Sequence, residues 1–148
     1  MNIILYTGYI EFPYGKAQVQ RQLTISKILK SAGYDVTVLC RYGCYSTKEP
    51  DFEYLSKGVF EGIKYEFCSG TPYRPKNFIK RNFIKLKGAF KEFNHIVKLG
   101  RRKELKAVFI TTNYFHNILF YWIACKIGGV QSILDNVEYF SNSKENKS

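Results

Sequence analysis

Two short, almost unbroken apolar runs, Asn2–Thr7 ("NIILYT") and Val36–Cys40 ("VTVLC"), flank one helical pattern. This arrangement constrains the fold more than any other feature of the chain. Apolar runs without polar alternation read as strands buried on both faces, as in parallel sheets. From Ala17, the positions Val19, Leu23, Ile25, Ile28 and Leu29 recur at helical spacing, with Gln, Arg and Lys between them. The "SAGYD" at Ser31–Asp35 stops that helix, with Gly33 at the usual C-terminal place. Two parallel strands joined by one helix make a right-handed βαβ unit.

The rest of the chain continues the alternation. Val59–Phe60 and Ile63–Cys68 suggest a hairpin or a third strand. A Gly-Thr-Pro-Tyr-Arg-Pro break at 70–75 leads into a long helical segment, roughly Asn77 to Leu99. Val108–Thr111 reads as a buried strand, Phe115–Ile127 as a helix ended by Gly128-Gly129, and Gln131–Leu134 as a last strand. Strands and helices in this order predict an α/β fold of the Rossmann-like, doubly wound kind, with a mostly parallel sheet and helices on both faces. Residues 1–140 form one domain on this reading, and 141–148 a polar tail or linker.

With 45% hydrophobic and 17% aromatic residues the 148-residue chain holds enough apolar mass for a core, which argues against disorder. The longest apolar run, Ile118–Cys125, falls well short of the ~20 residues a bilayer-spanning helix needs. No basic n-region or small-residue cleavage site marks a secretory leader. Cys40, Cys44, Cys68 and Cys125 lack C-x-x-C spacing and neighbouring histidines, so they read as reduced thiols of a cytosolic protein, with no metal site.

The net charge of +11 is local. From Arg74 to Lys106 there are twelve basic and two acidic residues, a balance of +10. Within this segment Ile79, Phe83, Leu86, Phe90, Phe93 and Val97 step by three and four, one apolar stripe of a helix expected to pack on the sheet. Lys80, Lys87, Lys91 and Lys98 form a row beside it, with Arg81 on the same helix and Arg101, Arg102 and Lys103 extending the charge. A solvated helix face usually mixes signs, so a core-packed helix explains the stripe but not the cations. An anionic membrane surface would attract such a row. Nucleic acid is the weaker alternative, because the aromatics lie on the stripe assigned to the core and no nucleic-acid motif is present.

In open α/β sheets ligands sit outside the carboxyl ends of the strands. The loop after the first strand holds Gly8, Tyr14, Gly15 and Lys16, and Asn113, Tyr114 and His116 follow the late strand, so both sets belong to that edge. Glycines there admit close approach of a ligand, and a helix N-terminus behind them favours negative charge. A structural strand-to-helix turn is the competing reading. The spacing from Gly8 to Gly15 does not fit G-x-G-x-x-G, which argues against a nicotinamide or flavin enzyme.

The opening strand, the Gly/Pro loop, "SAGYDVTVLC", "KAVFITTN" and the closing "SILDNVEYFS" together resemble the N-terminal Rossmann-like domain of GT-B glycosyltransferases of the family 4 type. The resemblance implies transfer of a sugar from a nucleotide-sugar donor to a polysaccharide or lipid-linked hydroxyl acceptor, with no cofactor and no obligatory metal. It places Gly15 on the family's loop glycine and gives Lys16 a phosphate contact, although members often have two consecutive glycines where this chain has Tyr14-Gly15-Lys16. Asp135 and Glu138 fall where relatives carry acceptor-fixing carboxylates, and either suits a proton acceptor; His116 is a further catalytic candidate, read against a surface histidine at a helix start, and Asp135 stands equally as a turn or capping residue. The resemblance also implies a cytoplasmic protein, peripheral on the inner face of the cell membrane. Relatives carry a glutamate pair separated by seven residues in a second, donor-binding domain. Glu53 and Glu61 have that spacing but lie in the loop and hairpin region of the first domain, so the donor-binding domain is expected to be missing and these residues alone to be inactive. The alternative is a non-catalytic Rossmann-like module that binds anionic membrane through the helix at 77–103.

Overall fold

The computed structural model describes residues 2–8, 11–15, 17–45 and 55–135. Lys16, Glu53, Glu138 and the tail at 141–148 lie outside the described residues. The chain runs β1 (Ile3–Gly8), α1 (Ala17–Ser31), β2 (Asp35–Cys40), β3 (Lys57–Phe60), β4 (Ile63–Phe67), α2 (Phe78–Arg101), β5 (Leu105–Thr111), α3 (Phe115–Gly128) and β6 (Gln131–Leu134). Among the described residues these strands form one six-stranded sheet in the order β3-β4-β2-β1-β5-β6. All neighbours are parallel except β3 and β4, which form an antiparallel hairpin closed at Glu61-Gly62.

From β1 the chain winds outward to β2 and β4, then returns to the other side of β1 for β5 and β6. The reversal makes a topological switch point at the carboxyl ends of β1 and β5. Alternating side chains feed two cores. Tyr6, Val38, Cys40 and Phe67 pack with Val19 and Leu23 of α1 on one face. Leu5, Leu39, Val108 and Ile110 pack with Ile96 of α2 and Tyr121, Ala124 and Cys125 of α3 on the other. The fold is therefore Rossmann-like α/β with helices on both faces.

The long helix differs from the expected packing. Ile79, Phe83, Leu86 and Phe90 do not reach the sheet; with Phe78 they are 66–78% exposed, while Phe93 and Val97 are only partly buried. The buried face is instead Gly88, Glu92, Ile96 and Gly100, each four residues from the next. Small residues explain the choice, because they let the helix backbone come close. A Cβ on Gly88 would stand 2.0 Å from the Arg41 carbonyl oxygen, and one on Gly100 2.5 Å from that of Gly128. The two helices of this face run parallel, with Phe93 against Phe120 and Gly100 against Gly128. The first ten residues of α2, about 15 Å of helix, thus run past the start of α3 with the apolar stripe uncovered.

Candidate functional site

The carboxyl ends of β1 and β2 and the first turn of α3 enclose a hollow of about 170 Å³ lined by Gly8, Arg41, Tyr42, His116 and Asn117. Gly8 is required here by the neighbouring strand: its φ is +134° and a Cβ would meet the Thr111 carbonyl oxygen at 2.1 Å. Arg41 directly follows β2 and points to the α2/α3 face, where its Nε donates to Glu92 Oε2 at 2.8 Å and its Nη1 to Asn117 Oδ1 at 2.9 Å. Its guanidinium lies over the Phe120 and Tyr121 rings, 4.5 and 5.0 Å from their centroids. The remaining nitrogen, Nη2, has no hydrogen-bond partner among the described residues.

Glu92 is fully buried and anchors this arrangement. Its Oε1 accepts from the Thr7 hydroxyl and, at 2.9 Å, from the Tyr121 hydroxyl. Burial pushes the Glu92 carboxyl above its ordinary range, opposed by the Arg41 charge and the hydroxyl donors. Burial and the Glu92 charge push the Tyr121 phenol well up in turn, so it stays a neutral donor. Three donors on one carboxylate, and partners from both α2 and α3 on one guanidinium, hold Arg41 in a single orientation at the floor of the hollow. A fixed donor, an imidazole and an amide suit recognition of an anionic or hydroxyl-rich group. No thiol, hydroxymethyl or carboxylate is among the hollow's described lining residues.

Of the residues singled out in the sequence, Gly8 and His116 line this hollow. Tyr114 and Asn113 are exposed just above it, the Tyr114 ring 5.7 Å from that of His116. Tyr14 and Gly15 sit elsewhere. The Tyr14 amide donates to the Tyr45 hydroxyl at 3.0 Å and its ring packs on Phe60, 5.2 Å between centroids. The space beside Gly15 is filled by Val19, whose Cγ2 would stand 2.2 Å from a Cβ there, so packing alone accounts for that glycine. Asp135 faces the α1 side of the sheet, where it accepts from the Tyr6 hydroxyl and pairs with Arg21 at 2.5 Å. Glu61 occupies the β3–β4 turn and pairs with Lys27.

Sequence reasoning passed over Arg41, Asn117 and Glu92. The available signals were Arg41's place at the end of a buried strand and Glu92's standing as the one acid in α2. Lys80, Lys87, Lys91, Lys98, Arg101 and Arg102 are exposed, and Arg81 is half-buried with its guanidinium over Phe78. Lys91 is also tied to Glu66 at 2.7 Å. Among the described residues no cluster of three metal-ligating side chains occurs, and no helix is long and apolar enough to cross a membrane.

No family model and no curated protein matches this sequence. The chain is similar in structure to the C-terminal domain of a hydrogenase from Pyrococcus furiosus, with a TM-score of 0.56 and 14% identity over 91% of this chain and 90% of that one. At that identity the likeness speaks for the fold alone.

Proposed function

We propose that this chain is the acceptor-side half of a nucleotide-sugar glycosyltransferase, and that the switch-point hollow is one wall of its cleft. The observation that carries the reading is the cluster of Arg41, His116 and Asn117 around an open hollow at the strand tips. The second wall, with most contacts to the donor diphosphate, belongs to another domain or subunit. Within the hollow, Asn117 and Arg41 orient the acceptor and His116 is the nearest group to take a proton from its hydroxyl. Asp135, engaged by Tyr6 and Arg21 on the other face, is the poorer choice for that role.

The test is an amide-resolved NMR titration with nucleotide sugars and hydroxyl acceptors, run beside a transfer assay. Shifts at Gly8, Tyr42, His116 and Asn117, with no turnover by these residues alone, are the expected result. Robust turnover by the chain alone overturns the half-enzyme reading. No shift at the hollow with any donor or acceptor overturns the cleft.

The uncovered α2 stripe favours a second reading, attachment to an anionic membrane surface. Phe78, Ile79, Phe83, Leu86 and Phe90 are exposed on the same helix as Lys80 and Lys87. Each cation near such a surface contributes about 1 kcal/mol, weakened by salt. The exposed aromatics remove one argument against nucleic acid, yet Ile79 and Leu86 offer nothing for a base to stack on and suit a lipid interface better. Co-sedimentation with anionic and neutral vesicles across a salt series tests it; equal sedimentation with both overturns the charge dependence.

A further inference from the structure

We infer that a second hollow, separate from the switch-point site, binds the phosphate of a membrane lipid. It has a volume of about 340 Å³ and is bordered by Cys44, Tyr45, Arg74, Pro75, Lys76 and Arg81. The local structure converges three cations there. An isolated parallel bridge joins Tyr45 to Tyr73, and the Arg74 amide donates to the Tyr45 carbonyl at 2.9 Å, so Arg74 is held at one side. Asn77 then starts α2, and Arg81 arrives one turn into the helix.

Among the described residues no carboxylate pairs with Arg74, Lys76 or Arg81, and none borders the hollow. Burial pushes the Cys44 thiol up to about 12, so it supplies no thiolate counter-charge. Three like charges around one hollow repel each other; Glu11, whose charge is felt at Cys44, does not line the hollow, and an anion bound there relieves the repulsion. Two guanidiniums match phosphate through paired N–H donors. The helix end does not compete for the ligand, since Asn77 Oδ1 already accepts from the amides of Ile79 and Lys80 at 2.9 and 3.2 Å.

The lipid assignment comes from what lies beside the hollow. Arg81 rests on the Phe78 ring, 5.4 Å from its centroid, and Phe78 opens the uncovered apolar stripe that continues through Ile79 and Phe83. A phosphate held by Arg74 and Arg81 therefore has an apolar surface within reach of an attached acyl chain. The volume exceeds that of one phosphate and leaves room for a headgroup polyol. The phosphate assignment stands on the cations alone. The lipid assignment rests on the membrane-surface reading.

The experiment compares phosphatidylcholine vesicles carrying phosphatidic acid with vesicles carrying oleate at equal surface charge. Glycerol 3-phosphate serves as the soluble arm, followed by NMR at Arg74, Lys76 and Arg81. The protein should prefer phosphatidic acid. Arg74→Gln with Arg81→Gln should weaken that binding about tenfold and leave oleate binding nearly unchanged. A control pair, Lys87→Gln with Lys98→Gln, should weaken both alike. Equal weakening of both vesicle types by the arginine pair overturns the phosphate site while sparing the membrane reading. Glycerol 3-phosphate binding at these residues as tightly as phosphatidic acid makes the source soluble and overturns the lipid assignment. Absence of both phosphate-lipid preference and glycerol 3-phosphate shifts overturns the site outright. Arg74, Lys87 and Lys98 are exposed and Arg81 half-buried, and an unchanged amide spectrum elsewhere verifies that the variants fold.

Discussion

The Arg41 guanidinium and the Glu92 carboxylate meet at 2.8 Å, Glu92 fully buried and Arg41 largely so. They bring α2 to the end of β2 and set the floor of the hollow. Breaking a buried pair by removing one partner leaves the other charge stranded and costs about 3–5 kcal/mol. Glu92→Ala should therefore lower unfolding stability by about that much in urea. Replacing both partners, Arg41→Met with Glu92→Leu, should recover most of the loss. A loss below about 1 kcal/mol for Glu92→Ala means that the pair does not hold the helix in place.

Gly88→Ala tests the same junction from the backbone side. In an exposed helix the change would gain about 1 kcal/mol of helix propensity. Here the added Cβ meets the Arg41 carbonyl oxygen at 2.0 Å, and a backbone atom cannot swing aside. The expected result is a net loss of about 1–3 kcal/mol from forced separation of α2 and β2. A stabilised variant shows that α2 does not approach this closely.

Strands and helices were readable because buried parallel strands are continuous apolar runs and their helices carry a different period, as in "VTVLC" after "SAGYD". Two of the five residues that line the hollow, Gly8 and His116, could be placed at that edge for a related reason: they sit next to strand ends. Arg41 could not, because a lone arginine has no periodic signature until Glu92, 51 residues away, folds against it. The α2 stripe misled for a physical cause. Hydrophobicity marks which face is greasy, but Gly88 and Gly100 mark which face packs closely, and here close packing prevailed.

His95 sets a pH dependence. Burial holds its imidazole below the ordinary range; Lys91, Lys57 and Lys98 push the same way and Glu66 opposes them. The unfolded chain then binds the proton more tightly than the folded one. Its contribution to stability is complete above the unfolded value of about 6.5 and is lost as pH falls from there through the depressed folded value. Urea midpoints measured from about pH 7 down to about pH 5 should decline, and His95→Gln should flatten that decline. Glu66, whose carboxyl Lys91 and Lys57 hold down despite burial, titrates below this window, whereas Glu92, pushed up by burial, opposes the decline as it takes on a proton. An unchanged slope in the variant assigns the dependence to another group.

The uncovered stripe makes opposite forecasts for stability and for binding. Substituting two core residues would cost several kcal/mol, as Ile96→Ala should, at about 2–5 kcal/mol. Phe83 and Leu86 are 68% and 71% exposed, so Phe83→Ser with Leu86→Ser should change stability by no more than about 0.5 kcal/mol per site. The same pair should cut co-sedimentation with anionic vesicles, because each side chain forfeits about 1.5–3 kcal/mol of apolar burial in the interface. The residual binding should be the salt-sensitive part supplied by Lys80 and Lys87. A variant that loses more than about 2 kcal/mol of stability places the stripe in a core; one that keeps full stability and full sedimentation detaches the stripe from the membrane.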